Sequence, residues 1–185
     1  MDHFDFIAPL YDRLAGPPDR ARFQRLLNLP CAGRLLDAGG GTARISSILS
    51  DMIGQVVVND LSHRMLKQAS KKTVVPVRSL VEQLPFADQT FDRILIVDAL
   101  HHFKDQHRSI HELLRVLKSG GRLAIEEYDL DRRAVKLLAL AEKVMGMRSR
   151  FLRPAEIREM MGSNSMSTKI EHPSRHTAWI IVDKR

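Results

Sequence analysis

The chain has 185 residues, of which 44% are hydrophobic, and it contains one cysteine. This length and composition predict a single folded domain, and a lone cysteine excludes an intramolecular disulfide or a cysteine-based zinc cluster. No apolar run reaches the roughly 20 residues of a membrane-spanning helix, and residues 1–5 lack the basic and apolar features of a signal peptide, so a cytoplasmic protein is expected.

The net charge is +7, and the basic residues are spread along the chain, with a higher density only between Arg132 and Arg158. Such a distribution could serve nucleic acid or an acidic ligand, but it is more typical of a solvated helix face. Few aromatic side chains are available to stack on bases, which also disfavours a nucleic-acid site.

Short β-rich runs alternate with helical patterns after residue 30, which predicts an α/β fold with a parallel sheet. The predicted strands cover residues 34–37, 55–59, 74–77, 91–98, 122–126, 167–171 and 177–182. Pro76 cannot donate to a ladder, so its strand is expected at the sheet edge. The continuous apolar run at 91–98 is typical of a central strand that is covered on both faces.

Helical patterns fill the intervals between these strands. One or two short helices are expected before residue 30, and further helices at 43–51, 63–70, 108–118, 132–147 and 154–161. Ser62 is the expected N-cap of the helix at 63–70, and Pro154 fits the first turn of the last helix.

A glycine loop, Gly39-Gly40-Gly41, follows the first strand. Glycines in such a loop let the backbone approach a ligand where a β-carbon would collide. Amide groups at a following helix start can meet a carboxylate. The loop alone would serve a dinucleotide or S-adenosylmethionine (SAM) equally well, and such a loop is sometimes only a turn.

Two acids near this loop distinguish the two ligands. Asp37 would be poorly placed against a doubly charged pyrophosphate, whereas the ammonium and sulfonium groups of SAM favour a nearby carboxylate. Asp60, at the end of the second strand, can accept hydrogen bonds from both ribose hydroxyls; the alternative is that it caps the next helix. Arg44 stands where a dinucleotide fingerprint has glycine or alanine.

Four segments, at residues 35–43, 60–62, 84–92 and 111–121, resemble in order and spacing the motifs of the type-11 class I methyltransferases. This family includes the UbiE/COQ5-like quinone-biosynthesis enzymes. The resemblance extends from about Phe6 to the end of the chain. It implies a three-layer Rossmann-like sandwich with helices on both faces of a seven-stranded, mostly parallel sheet of order 3-2-1-4-5-7-6, in which strand 7 is antiparallel. We expect one methyltransferase domain over residues 1–185, with residues 1–30 as a helical lid and 131–162 as a helical segment near the acceptor.

The resemblance also implies SAM as the cofactor, S-adenosyl-L-homocysteine as the product, and a set of cofactor-binding positions. These are Asp37, Ala38, Gly39, Gly40, Gly41, Asp60, Leu61, Val81, Asp98 and Ala99. The family often places an acid at the position of Leu80 to contact the adenine amine. Here the backbone of Val81 or Ser79 is the expected substitute, and Glu82 is a weaker candidate.

His101 and His102 follow the central strand and are the candidate general bases, because histidine titrates near neutral pH. The alternative is that one of them packs under the cofactor or caps the loop. Tyr11 resembles a residue of the family's lid over SAM or the acceptor, although core packing would also account for it. No spacing of His, Asp and Glu indicates a metal site.

The leading hypothesis is SAM-dependent methyl transfer to a small-molecule acceptor, by C- or O-methylation of an aromatic or quinone-like compound. A nucleic-acid methyltransferase is disfavoured, because residues 98–101 read Asp-Ala-Leu-His rather than Asn/Asp-Pro-Pro-aromatic. The sequence also allows an NAD-binding oxidoreductase or a non-catalytic SAM-binding protein. The expected partner is the acceptor alone, without nucleic acid or a membrane span, and a homodimer is compatible with the sequence.

Overall fold

The computed structural model describes residues 8, 11–132, 135–136, 149–162 and 166–185. A seven-stranded sheet of order β3-β2-β1-β4-β5-β7-β6 forms its centre. The strands are β1 (Cys31–Ala38), β2 (Ile53–Asp60), β3 (Val75–Arg78), β4 (Phe91–Val97), β5 (Leu117–Tyr128), β6 (Met166–Glu171) and β7 (Thr177–Lys184). Strands β1 to β5 pair in parallel, and β7 is antiparallel to both β5 and β6. The predicted fold class and strand order are confirmed.

Helices cover both faces of this sheet. They are α1 (Tyr11–Ala15), α2 (Arg20–Leu27), α3 (His63–Ala69), α4 (Gln106–Val116) and α5 (Pro154–Met160). Short 3-10 helices occupy Ser46–Met52, Val81–Gln83 and Leu100–His102.

Two apolar cores lie on opposite faces of the sheet, because side chains alternate along a strand. Leu36, for example, belongs to the core under α4 and α5, whereas its neighbour Leu35 belongs to the core under α2 and α3. Ile94, Leu95 and Ile96 of β4 are fully buried, as expected for a central strand. The pattern produces three layers, with β3 and its Pro76 at the sheet edge.

Local capping signals agree with the helix starts. The Ser62 side chain accepts a hydrogen bond from the Met65 amide at 3.1 Å, and Pro154 is the first residue of α5. Helix α4 ends at Val116, two residues before its predicted end, and Gly120, with a φ of 75°, lies within β5, where the pairing with β4 changes register between Leu117 and Arg122.

The helix predicted at 43–51 is wrong as an α-helix. Ala43 adopts a left-handed φ of 59°, and its amide donates to the Gly40 carbonyl in a tight turn. A right-handed α-helix cannot continue through a residue in the left-handed conformation. The chain therefore passes through a turn at 41–45 into the 3-10 helix Ser46–Met52.

Parts of the predicted lid and acceptor-side segment lie outside the described residues. These are residues 1–7, 9 and 10, including Phe6, and most of the helix predicted at 132–147. The assignment of residues 1–30 and 131–162 to a lid and an acceptor segment therefore stays a prediction.

Candidate functional site

A cavity of about 730 Å³ opens where β1, β2 and β4 end. The carboxyl ends of parallel strands meet at one edge of the sheet, and this edge is the usual ligand crevice of α/β folds. Its volume suits a small organic ligand. The predicted site residues that line it are Tyr11, Asp37, Gly39, Gly40, Gly41, Asp60, Leu61, Val81, Asp98, Ala99 and His102. Ala38 and His101 are not among the lining residues.

The glycine loop bends tightly around the end of β2. The amides of Gly39 and Gly40 both donate to the Asn59 carbonyl, at 2.8 and 3.1 Å. A β-carbon on Gly39 would lie 2.7 Å from that of Ala99, and one on Gly40 would lie 2.4 Å from the Asp37 carboxyl carbon. Both glycines are therefore required by close approach, and the loop closes over a buried carboxylate.

Asp60 fixes the other side of the loop. Its Oδ2 accepts from the Gly41 amide at 2.9 Å, and its Oδ1 accepts from the Ser62 amide at 2.8 Å. The N-cap of α3 is Ser62, so the alternative that Asp60 caps this helix is wrong. These two hydrogen bonds hold the carboxylate at the end of β2, where Asp60 lines the cavity.

Asp37 is buried beneath the loop at 3% exposure. Burial raises the pKa of this carboxyl to about 6, because a buried charge loses its hydration, and the nearby Asp60 carboxylate adds to the effect. The position of Asp37 beside the glycines follows from the sequence, but its depth is a property of the packed fold.

Asp98 occupies the tip of β4 in a left-handed conformation, with a φ of 49°. Its amide donates to the Glu126 carbonyl at 3.0 Å, which ties the tip of β4 to β5. Burial raises the pKa of the Asp98 carboxyl to about 7, helped by Glu127 and Glu126 and opposed by His101 and Arg44. Its Oδ1 is buried and accepts no hydrogen bond from the described residues.

The two candidate histidines have different environments. His101 is 4% exposed, pairs through Nδ1 with Glu127 Oε2 at 2.7 Å and stacks on Phe151 with ring centroids 4.4 Å apart. His102 lines the cavity, and its Nδ1 lies 3.2 Å from the Ser149 hydroxyl. Of the two, His102 is the one positioned to meet a ligand directly.

Glu127, which is not among the residues predicted from the sequence, holds this half of the site together. Besides His101, its carboxylate accepts from the amides of Ala99 and Leu100, at 3.1 and 2.7 Å. One buried side chain from β5 thus holds the loop that follows β4. The signal in the sequence was a pair of acids at the end of an apolar strand, Glu126-Glu127, which solvent exposure would also explain.

Helix α1 is linked to the loop side of the cavity. Asp12 accepts from the Thr42 hydroxyl and pairs with Lys72 Nζ at 2.6 Å. Arg44 donates to the Gly16 carbonyl at 2.9 Å and also lines the cavity. These contacts place Tyr11 at the mouth, where burial raises the pKa of its hydroxyl.

The end of the cavity near β2 and β3 is apolar and open. Leu61 and Leu80 are 49% and 47% exposed there, which is unusual for large aliphatic side chains. The Asn59 side-chain amide donates to both the carbonyl and the hydroxyl of Ser79, at 2.9 and 2.6 Å, so these two oxygens are already engaged. Glu82 accepts from the Asp105 amide at 3.1 Å.

The part of the chain that the structure describes offers neither a metal centre nor a helix suited to a bilayer. No group of three or more His, Cys, Asp or Glu residues among these positions could hold a metal ion. None of the described helices combines the length and the apolar character needed to cross a membrane.

Comparisons with known proteins agree with this geometry. Residues 36–125 match the model of a methyltransferase domain of the type-11 family. The ubiquinone/menaquinone biosynthesis C-methyltransferase UbiE of Serratia proteamaculans is 34% identical over 123 residues, which are 58% of this chain and 49% of that protein. The chain thus spans about half the length of the curated relatives it matches.

Solved structures show the same fold at low sequence identity. A SAM-dependent methyltransferase from Thermotoga maritima aligns with a TM-score of 0.77 at 24% identity, over 98% of both chains. One from Aquifex aeolicus aligns with a TM-score of 0.76 at 19% identity, again over 98% of both chains. The family match and the UbiE relatives show that this chain contains a methyltransferase domain of the type-11 family over residues 36–125, and the solved structures show that the fold is shared.

Proposed function

We propose that this protein transfers the methyl group of SAM to a small-molecule acceptor. The observation that carries the proposal is the row of three carboxylates, Asp60, Asp37 and Asp98, along one cavity at the tips of neighbouring strands. Such a cavity favours a cationic nucleoside and disfavours a pyrophosphate.

The residues present fit SAM along the length of the cavity. Asp60 would accept from the ribose hydroxyls, and the exposed side chains of Leu61 and Leu80 offer an apolar surface for the adenine. The glycine loop admits the methionine portion to the backbone, with Asp37 beneath it. Bound SAM supplies an activated methyl group, so the protein needs no metal or covalent intermediate for the transfer itself.

Alignment of donor and acceptor is the main task left to the chain, and it can account for several kcal/mol of the barrier. His102 is the residue we assign to proton removal where the acceptor begins protonated, since its ring borders the cavity. His101 is committed to Glu127, so we assign it a positioning role.

An aromatic or quinone-like acceptor is the class we favour. The UbiE relatives, which are named for ubiquinone/menaquinone C-methylation, match 123 residues of this chain, and the aromatic rings of Tyr11 and Phe103 border the cavity. A nucleic-acid acceptor has no comparable support, because the described lining contains only two strong cations, Arg44 and Lys104.

Calorimetry tests the proposal directly. We expect SAM and S-adenosyl-L-homocysteine to bind and NAD not to bind, and radiolabelled SAM to methylate members of a panel of hydroxylated aromatic compounds. Methylation of total RNA in place of these compounds would favour the nucleic-acid alternative. Micromolar binding of NAD with none of SAM would refute the proposal.

A further inference from the structure

Asp98 has a place in the site that methyl transfer alone does not explain. Its carboxylate is largely buried and borders the cavity, yet no ion pair joins it to a described residue and its Oδ1 accepts no hydrogen bond from one. A buried carboxylate in such a setting is costly unless a cation arrives to pair with it.

The charged groups that the structure describes around Asp98 supply no cation to pair with it from the protein side. A pairing cation would therefore have to come from the cavity. Glu126 and Glu127 face it from β5 and disfavour its ionisation, while His101 from the following turn and Arg44 from beyond the glycine loop favour it. Tyr11 of α1 is also close enough to sense the Asp98 charge. His101 is already paired with Glu127, and Arg44 with the Gly16 carbonyl.

The strand order defines which part of the donor would meet Asp98. Strand β1 lies between β2 and β4, so Asp60, Asp37 and Asp98 follow one another across the same sheet edge. If the ribose binds at Asp60, the methionine portion extends toward β4. The sulfur joins these two portions, so it lies beyond Asp60 in the direction of β4, in the part of the cavity that Asp37 and Asp98 border.

Transfer of the methyl group changes the charge of that sulfur and little else in the ligand. The acceptor forms a bond to the methyl carbon, the carbon–sulfur bond breaks, and its electron pair stays on sulfur. The sulfonium thereby becomes a neutral thioether, whereas the ammonium, the carboxylate and the ribose are unchanged.

On the basis of the proposed function, we propose that Asp98 is the residue by which this site distinguishes the cationic donor from the neutral product. Ionised Asp98 pairs with the sulfonium and strengthens SAM binding. After transfer the same carboxylate faces an uncharged sulfur, so it takes up a proton from solvent. The extra affinity that the ion pair gave SAM is then absent for the product. The residue thus favours exchange of product for fresh donor.

The proton balance of binding provides a readout that is independent of activity. Since the pKa of Asp98 is raised to about 7 in the free protein, most molecules carry a proton there at about pH 6 and release it when a cation binds. Asp37, with a pKa raised to about 6, also responds to ligands, but both ligands carry the same ammonium group. The difference between SAM and the homocysteine product therefore isolates the response to the sulfur charge.

The experiment is calorimetric titration of the full chain with each ligand at about pH 6, in two buffers of different ionisation enthalpy. We expect SAM to release more protons than S-adenosyl-L-homocysteine, by up to about one. The ratio of SAM affinity to product affinity should rise by about tenfold between roughly pH 6 and pH 8.

Asp98→Asn is the matched variant, because asparagine tolerates the left-handed conformation at this position. At about pH 8 it should weaken SAM binding by about tenfold or more and change product binding by less than about threefold. It should also abolish the difference in proton release. Asp51→Asn, which removes an exposed acid outside the cavity, should leave all three quantities unchanged.

Each outcome has a definite meaning. Binding of neither ligand would refute the proposed function itself. Binding of both with equal proton release and a constant affinity ratio would overturn only the role of Asp98, as would a difference that persists in Asp98→Asn. If the variant does not fold, the measurements on the unaltered protein still decide between these results.

Discussion

The two halves of the cavity are built in different ways. On the β1–β2 side, backbone amides of the glycine loop after β1 and of Ser62 donate to Asn59 and Asp60 at the end of β2. On the β4–β5 side, the buried carboxylate of Glu127 holds Ala99, Leu100 and His101 from 26 to 28 positions away. The first half is thus held largely by backbone amides at the edge of the cavity, and the second by one buried side chain that must be desolvated to act.

This difference predicts where each half is vulnerable. Substitution of a loop-half residue at the edge of the cavity, such as Asp60, should alter ligand binding with a small effect on folding, whereas the buried Asp37 affects both. Substitution of Glu127 should alter folding first, because three donors would be left without their acceptor in the interior.

Glu127→Ala is expected to have the largest effect. It removes the partner of two amides and one imidazole, so we expect a loss of about 3–5 kcal/mol in the free energy of unfolding. Urea denaturation monitored by the single tryptophan, Trp179, measures this loss. Glu171→Ala, which removes a surface partner of Lys169, is the control and should cost less than about 0.5 kcal/mol. Equal losses in the two variants would contradict the central role of Glu127.

The contribution of Asp37 to the free energy of unfolding depends on pH, which gives a second test of how the two halves differ. Its pKa is raised in the folded state to about 6, above the ordinary value of 3.8, so folding favours the protonated form. Its contribution to stability is therefore greatest below about pH 4 and declines as the pH rises to about 6, by roughly 3 kcal/mol in total.

Other carboxyls also make folding depend on pH, including Asp12 and Asp92, whose pKa values are lowered by their lysine partners against the opposing effect of burial, so their stabilising effect is lost as the pH falls below about 4. The measurement is therefore the difference in unfolding free energy between Asp37→Asn and the unaltered protein as a function of pH. We expect the variant to gain relative stability between about pH 4 and pH 6. A difference that is flat with pH would show that Asp37 is not buried as described.

Gly40→Ala tests the close approach in the loop half. Its methyl group would meet the Asp37 carboxylate at 2.4 Å, so the loop must shift and we expect SAM affinity to fall by about a hundredfold. Gly16→Ala is the control, because no atom of the described residues lies within 4 Å of the added carbon. That variant should bind SAM within about threefold of the unaltered protein, although its φ of 70° lowers its stability.

Asp60→Ala should weaken SAM binding by about 2 kcal/mol, through loss of charge-assisted hydrogen bonds to the ribose. Ser62→Ala is the matched comparison, because it removes the cap of α3 without removing a charge from the cavity. It should cost about 1 kcal/mol of stability and leave SAM affinity nearly unchanged. Unchanged affinity in Asp60→Ala, measured by calorimetry, would contradict the ribose assignment.

Local sequence was sufficient for the strands, the edge position of β3, the Ser62 cap and the position of Asp37 beside the glycines. These follow from side-chain periodicity, from the lack of a backbone N–H group on Pro76 and from turn chemistry, all of which act over a few residues. The order of the strands came with the family resemblance, because pairing between distant segments has no local signature.

Only the tertiary structure separated His101 from His102 and brought Glu127 beneath them. Two adjacent histidines after a strand look alike in a sequence, and which one is buried depends on Phe151 and on β5 packing against the turn. The same packing decided that residues 41–45 form a turn rather than the first part of an α-helix. Desolvation acts through neighbours that are close in space and remote along the chain, so the raised pKa values of Asp37 and Asp98 were beyond the reach of sequence patterns.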